Sequence, residues 1–200
     1  MARVKLTDDQ IAEFKLQLVV VATRLFAKNG YSGVTMRAIA KELDCSPMKA
    51  YRYFGDKNEI FAMVRIEAYR AFGESQKNAY FSRDNVLERL SELGKAYYRY
   101  AAENPLQYRL MFELFQPDPV GYPELQEAET AAMKPLRTVI TEMVSQGTFH
   151  GDADVLTHVF WSAVHGVVSL NLAGKLGKRV NPEEVEMEVN DAIFRGLAAN

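Results

Sequence analysis

Cysteine is almost absent from this chain. One thiol, Cys45, in 200 residues cannot form an intramolecular disulfide, which excludes a stapled secreted scaffold and points to a cytoplasmic setting. Proline and glycine are sparse too, 7 and 12 of 200, so collagen-like and low-complexity readings fall away. Long apolar runs are lacking. LVVVA at 18–22 is far short of the ~20 residues that cross a bilayer, and no membrane partner is expected. Asp8 and Asp9 precede the first apolar stretch, so no secretory signal is expected. No Gly-rich phosphate loop, His/Cys quartet or Ser-His-Asp spacing is visible, so the reading is no enzyme, no cofactor and no metal.

The residues present are those of an ordinary globular protein, 48% hydrophobic and 25% charged, long enough to bury a core. The net charge of −2 hides an asymmetry. Residues 1–58 carry ten Lys/Arg against six Asp/Glu, a balance of +4, and residues 59–200 carry fourteen against twenty, a balance of −6. A basic head on an acidic body is the layout expected when one end meets a polyanion.

Helix punctuation is legible throughout. Thr7-Asp8-Asp9-Gln10 reads as a capping box, flanked by Leu6 and Ile11 as a hydrophobic staple. Ile11, Phe14, Leu18, Val21, Ala22 and Leu25 then form one apolar stripe, closed by Asn29-Gly30. Thr35 caps a short helix over 36–43, and Ser46-Pro47 opens another reaching about Phe54. Asp56 with Glu59 starts a fourth. Further helices are predicted at about 57–78, 84–103, 105–115, 123–147, 152–174 and 182–197. The stretch QPDPVGYP at 116–123 reads as a loop, and Pro135 should kink or restart its helix. The expected fold is all-α, with about nine helices: a three-helix head, residues 1–58, joined through a continuous helix to a larger helical-bundle body, residues 59–200.

The short helix at 36–43, the turn Asp44-Cys45-Ser46 and the next short helix have the proportions of a helix-turn-helix, whose second helix enters the major groove. Lys49, Arg52 and Tyr53 fall on one face, with Ala50 and Phe54 facing inward. Pro47 and Met48 at the tip offer apolar contacts, for instance to a thymine methyl. Tyr51 and Tyr53 can donate to phosphate, and Thr35 and Lys57 stand at helix starts. With Arg37 and Ser46, these are the candidate contacts to double-stranded DNA. Cys45 is read as a small turn residue rather than a redox sensor.

The run from Ala22 to Ile60, ATRLFAKNGYSGVTMRAIAKELDCSPMKAYRYFGDKNEI, resembles the DNA-binding head of the TetR family of bacterial regulators. The matching positions are Ala22, Leu25-Phe26, Gly30-Tyr31, Thr35, Ile39-Ala40, Leu43, Ser46, Tyr51, Tyr53-Phe54, Lys57 and Ile60. Two positions depart: Asp44 stands where the turn usually has Gly, and Ala50 where a larger aliphatic is usual. Asp tolerates positive φ better than most residues. In the body, Trp161-Ser-Ala-Val-His165-Gly166 is similar to the Trp…His-Gly (WHG) element of one C-terminal subfamily, and Tyr108-Arg-Leu-Met111-Phe112 is of the kind found there. The resemblance implies a homodimer with a four-helix interface built from the last two helices of each subunit. It also implies a small effector that binds in the body and releases a palindromic operator.

Effector candidates are Met63, Tyr69, Tyr97, Tyr108, Met111, Phe112, Met133, Trp161 and His165, side chains that by default simply fill a core. They favour a largely apolar molecule over a sugar or an anion. His150, His158 and His165 lack metal-ligand spacing and read as packing or hydrogen-bonding residues. Interface candidates are the small ridge Ser162, Gly166, Ser169 and Ala173, with Val185, Val189 and Ile193 on the last helix. Part of this ridge could instead face the body of its own subunit. The rival readings are a ligand-independent DNA binder or recruiter, and a helical-bundle carrier or enzyme without DNA binding.

Overall fold

The computed structural model describes residues 7–112, 121–177 and 179–198. Among these lie nine helices: α1 Asp8–Asn29, α2 Met36–Glu42, α3 Pro47–Tyr53, α4 Lys57–Tyr80, α5 Val86–Glu103, α6 Pro105–Phe112, α7 Pro123–Ser145, α8 Ala153–Leu172 and α9 Pro182–Leu197. No strand occurs among the described residues. One isolated bridge joins Phe149 and Ala198.

Local chemistry sets the boundaries. The capping box at Thr7 is formed, Gln10 N–H donating to the Thr7 hydroxyl at 3.3 Å and Thr7 N–H to Gln10 Oε1 at 3.0 Å. Leu6, its expected staple, lies outside the described residues. Gly30 closes α1 at φ 69° and ψ 170°, a region open essentially to glycine. Thr35 and Ser46 accept from Ala38 N–H and Lys49 N–H. Asp56 accepts from Glu59 N–H at 2.9 Å, while the Glu59 carboxylate reaches back to Gly55 N–H at 2.6 Å. Asn85, Asp152 and Asn181 cap α5, α8 and α9.

Helix α7 passes through Pro135 without restarting. The carbonyl that Pro135 cannot satisfy belongs to Ala131, an exposed residue whose oxygen water can reach. The loop expected at 116–123 and the last residues of the 105–115 helix, Phe115 among them, fall mostly outside the described residues.

By compactness the chain forms two units, Met1–Tyr69 with Leu106–Glu127, and Arg70–Pro105 with Ala128–Asn200. The expected division at 58/59 follows chain order, whereas α4 and α7 each contribute residues to both compact units. The first unit is centred on Leu18, Phe26, Ile39, Ala50, Phe54, Ile60 and Phe61, all buried. Phe26 and Phe61 meet edge to face at 4.8 Å, a favoured aromatic geometry. The second unit packs Leu93, Val139, Ile140, Met143, Phe149, Leu156 and Phe160. Helix α8 is long and apolar enough by composition to cross a membrane. Its inner residues Leu156, Phe160, Val164, Val167 and Val168 are instead buried in this unit.

Candidate functional site

The turn between α2 and α3 is tight. Cys45 N–H donates to Ala40 O at 3.0 Å and Asp44 N–H to Lys41 O at 3.1 Å. Asp44 adopts φ 47°, the one positive value at a non-glycine among the described residues, as its place in the motif predicted. Desolvation pushes the Cys45 thiol above its ordinary range; Lys49 pulls it down and Asp44 adds to the rise.

Helix α3 stands on Ala50 and Phe54, which enter the core with Ile39. Its outward side is not the face expected from spacing alone. Lys49 and Tyr53, one turn apart, both lean on Phe14 of α1: the Lys49 ammonium lies 4.3 Å from the ring centroid, and the Tyr53 ring centroid lies 5.4 Å away. The residues left facing solvent are Ser46, Pro47, Met48, Tyr51 and Arg52, with Met48 70% and Tyr51 51% exposed. Thr35 and Arg37 are exposed beside them. Lys57 is occupied within the head. Its ammonium donates to Tyr31 O at 2.9 Å and sits 4.0 Å from the Tyr31 ring centroid. The Tyr31 hydroxyl in turn bonds Asn58. The ring of α1 that draws Lys49 aside is a tertiary partner, invisible to spacing within α3.

The effector candidates divide between the two units. Met63 packs against the head core. Tyr69, Tyr108, Met111 and Phe112 form one knot: the Tyr69 hydroxyl donates to Met111 O at 3.1 Å, and Phe112 meets both tyrosine rings edge to face. In the second unit Met133 is half-buried on α7. There Trp161 Nε1 donates to the Tyr97 hydroxyl at 3.2 Å. His165 bridges that hydroxyl and Ser169, at 3.2 Å from each. His165 is thus a hydrogen-bonded linker, and no cluster able to hold a metal occurs among the described residues.

A cavity of about 410 Å³ opens in the second unit, within the size range of small-molecule sites. Of the nine candidates, Tyr97 alone lines it. The rest of its apolar wall comes from α5, α7, α8 and α9, with Leu90, Leu136, Phe160, Val164 and Phe194 prominent. Gln76 and Glu186 supply buried polar groups, each less than a tenth exposed. Sequence reasoning missed these two. The available signal was Glu186 and Asn190 one turn apart on the inward side of a helix otherwise carrying Val185, Val189 and Ile193.

Along α8, Ser162 is exposed and Gly166 is half-buried, with open space where a Cβ would lie. Val155, Val159 and Leu170 are exposed on the same helix, Ser169 is half-buried and Ala173 just beyond is exposed. Val185, Val189 and Ile193 are half-buried, and Ile193 packs against its own subunit's core.

Comparisons with known proteins agree with this anatomy. Residues 18–64 match the family model described as bacterial regulatory proteins, tetR family. Residues 90–193 match the tetracyclin repressor-like C-terminal domain, a span containing Trp161, His165 and Gly166. The HTH-type transcriptional regulator Rv1816 of Mycobacterium tuberculosis is 21% identical over 206 aligned positions, covering 88% of this chain and 87% of the relative. A Rhodococcus protein of unknown function shares the fold at TM-score 0.80 and 23% identity, over 92% of this chain and 95% of its own. FadR of Bacillus subtilis, solved in complex with stearoyl-CoA, aligns at TM-score 0.76 and 17% identity, over 91% and 98%. The class is that of helix-turn-helix transcriptional regulators. Within it, the chain belongs to the TetR family.

Proposed function

We propose that this DNA-binding regulator is a cytoplasmic homodimeric repressor that leaves a palindromic operator when a small, largely apolar effector enters its body. The observation that carries the reading is the pairing, in one chain, of an exposed recognition helix with a mostly apolar cavity of about 410 Å³. Thr35, Arg37, Ser46, Pro47, Met48, Tyr51 and Arg52 present the DNA side, supported by Lys49, Tyr53 and Lys57. A filled body core would have favoured a ligand-independent binder. FadR, with the same fold and stearoyl-CoA bound, is a precedent for ligand binding in this architecture. The exposed apolar stripe on α8, from Val155 through Val159 to Leu170, favours a second subunit on that face.

A gel shift with the DNA upstream of the protein's own operon tests the proposal. Discrete retardation is expected at nanomolar protein, competed by specific duplex and not by random duplex. Complexes that form equally on both sequences would defeat the operator reading.

A further inference from the structure

The effector reading leaves the chemistry of the ligand open, and the cavity wall constrains it. Gln76 is 4% exposed and lines the cavity, and its amide nitrogen Nε2 has no acceptor among the described residues. A buried donor without a partner is costly, and a ligand oxygen would relieve it. Opposite chemistry comes from α9. Glu186 is 6% exposed and lines the same cavity, bonded by Asn190 Nδ2 at 2.9 Å. Gly94 of α5 makes room for this carboxylate, since a Cβ there would lie 2.7 Å from Glu186 Oε1.

The other charges on the wall are already matched. Lys95 holds Glu92 at 3.0 Å, and Asp191 holds Arg195. Glu186 is therefore the wall charge with no cation at ion-pair distance among the described residues. The surroundings are leucines and aromatic rings, Tyr97, Phe160 and Phe194 among them, and such rings also attract a cation. An anion entering this site would meet the Glu186 carboxylate, while Lys95, the cation among the described wall residues, acts on Glu186 only from beyond ion-pair distance and is itself paired with Glu92.

We infer that the cavity bounded by α5, α8 and α9 is the effector site, and that it takes an organic cation. Such a ligand has an apolar body, a protonated amine beside Glu186 and an oxygen that accepts from Gln76 Nε2. This inference rests on the ligand-responsive reading above but names a chemistry that reading does not require.

Three probes of equal chain length separate the contributions: decylamine, decan-1-ol and decanoate, titrated calorimetrically into the full-length protein and its variants. Decylamine should bind at least about tenfold more tightly than decanoate. Glu186→Gln should remove about tenfold of the decylamine affinity and leave decan-1-ol nearly unchanged, because only the ammonium makes a charge-assisted bond there. Gln76→Leu should weaken decan-1-ol, whose oxygen can accept, and spare decylamine, whose ammonium cannot. The same variant should melt higher without ligand, since the unsatisfied donor is gone. Decanoate binding as tightly as decylamine would overturn the site, as would equal loss of decylamine and decan-1-ol in Glu186→Gln, or no binding of any probe. Operator release is scored separately. Release without the head-group ranking defeats the cation site and leaves the ligand-responsive reading standing. The ranking without release upholds the cation site and defeats its role as the effector site, together with the ligand-responsive reading.

Discussion

Arg52 and Lys49 lie three residues apart on α3, yet the fold gives them different work. Arg52 faces solvent and can offer its planar fork to a guanine edge or a phosphate. Lys49 shares its ammonium with the Phe14 ring at 4.3 Å and must leave that ring to reach a base. Arg52→Ala should cost about 1–3 kcal/mol against the operator, measured by anisotropy on operator and random duplex in parallel. Lys49→Ala should also lower head stability, by about 0.5–1 kcal/mol of lost cation–π contact, visible in urea melts without DNA. Unchanged operator affinity in the Lys49/Arg52 double variant would remove α3 from recognition. Beside them, burial pushes the Cys45 thiol above its ordinary range. A raised pKa means less thiolate, the reactive form. Iodoacetamide should therefore alkylate Cys45 more slowly than free cysteine at neutral pH, along a rate curve displaced to higher pH. A faster reaction would restore the redox-sensor reading.

At the scale of helices, α8 is the element with two loyalties. Phe160, Val164 and Val168 turn inward, while Val155, Val159 and Leu170 face out and Gly166 leaves open space for at least 4 Å around a Cβ position. Gly166→Leu should thus fold normally, with an unchanged helical spectrum. If the α8 ridge meets a partner helix, the added side chain overpacks that contact, a penalty of about 1–3 kcal/mol per subunit. Light scattering should then report monomer at micromolar concentration. A surviving dimer would place the interface elsewhere. Helix ends were legible in the sequence because each is decided within four residues, as Thr7, Thr35, Ser46, Asp56 and Asn181 show. The faces of helices were not legible where a side chain from another helix decides them. Phe14 redirects Lys49 and Tyr53, and the Tyr69–Tyr108–Phe112 knot closes on itself. The cavity was illegible because its wall joins residues of five helices far apart in the chain, with no local pattern to place Gln76 and Glu186 on one wall.

For the whole molecule, charge and symmetry together set how DNA is gripped. The basic balance is confined to residues 1–58, at +4, and the remaining chain carries −6. A single head therefore has few cations to exchange for DNA counterions, and the acidic remainder of the chain adds none in net. If the proposed dimer holds a palindromic operator, tight binding needs two heads on one duplex, each in a major groove, with half-sites about one turn apart. Each phosphate neutralised adds about 0.9 to the slope of log affinity against log salt, so two engaged heads should give about twice the slope of one. Inserting about 5 bp between the half-sites turns the second groove to the opposite side of the helix. Affinity should then fall by more than about tenfold, and the salt slope should drop to that of an isolated half-site. The drop in slope is the discriminating result. A mere loss of base contacts would weaken binding while leaving the number of phosphates engaged, and hence the slope, where it was. An intact slope on the expanded operator would mean that the heads reach both half-sites independently, and the paired-head account of recognition would fail.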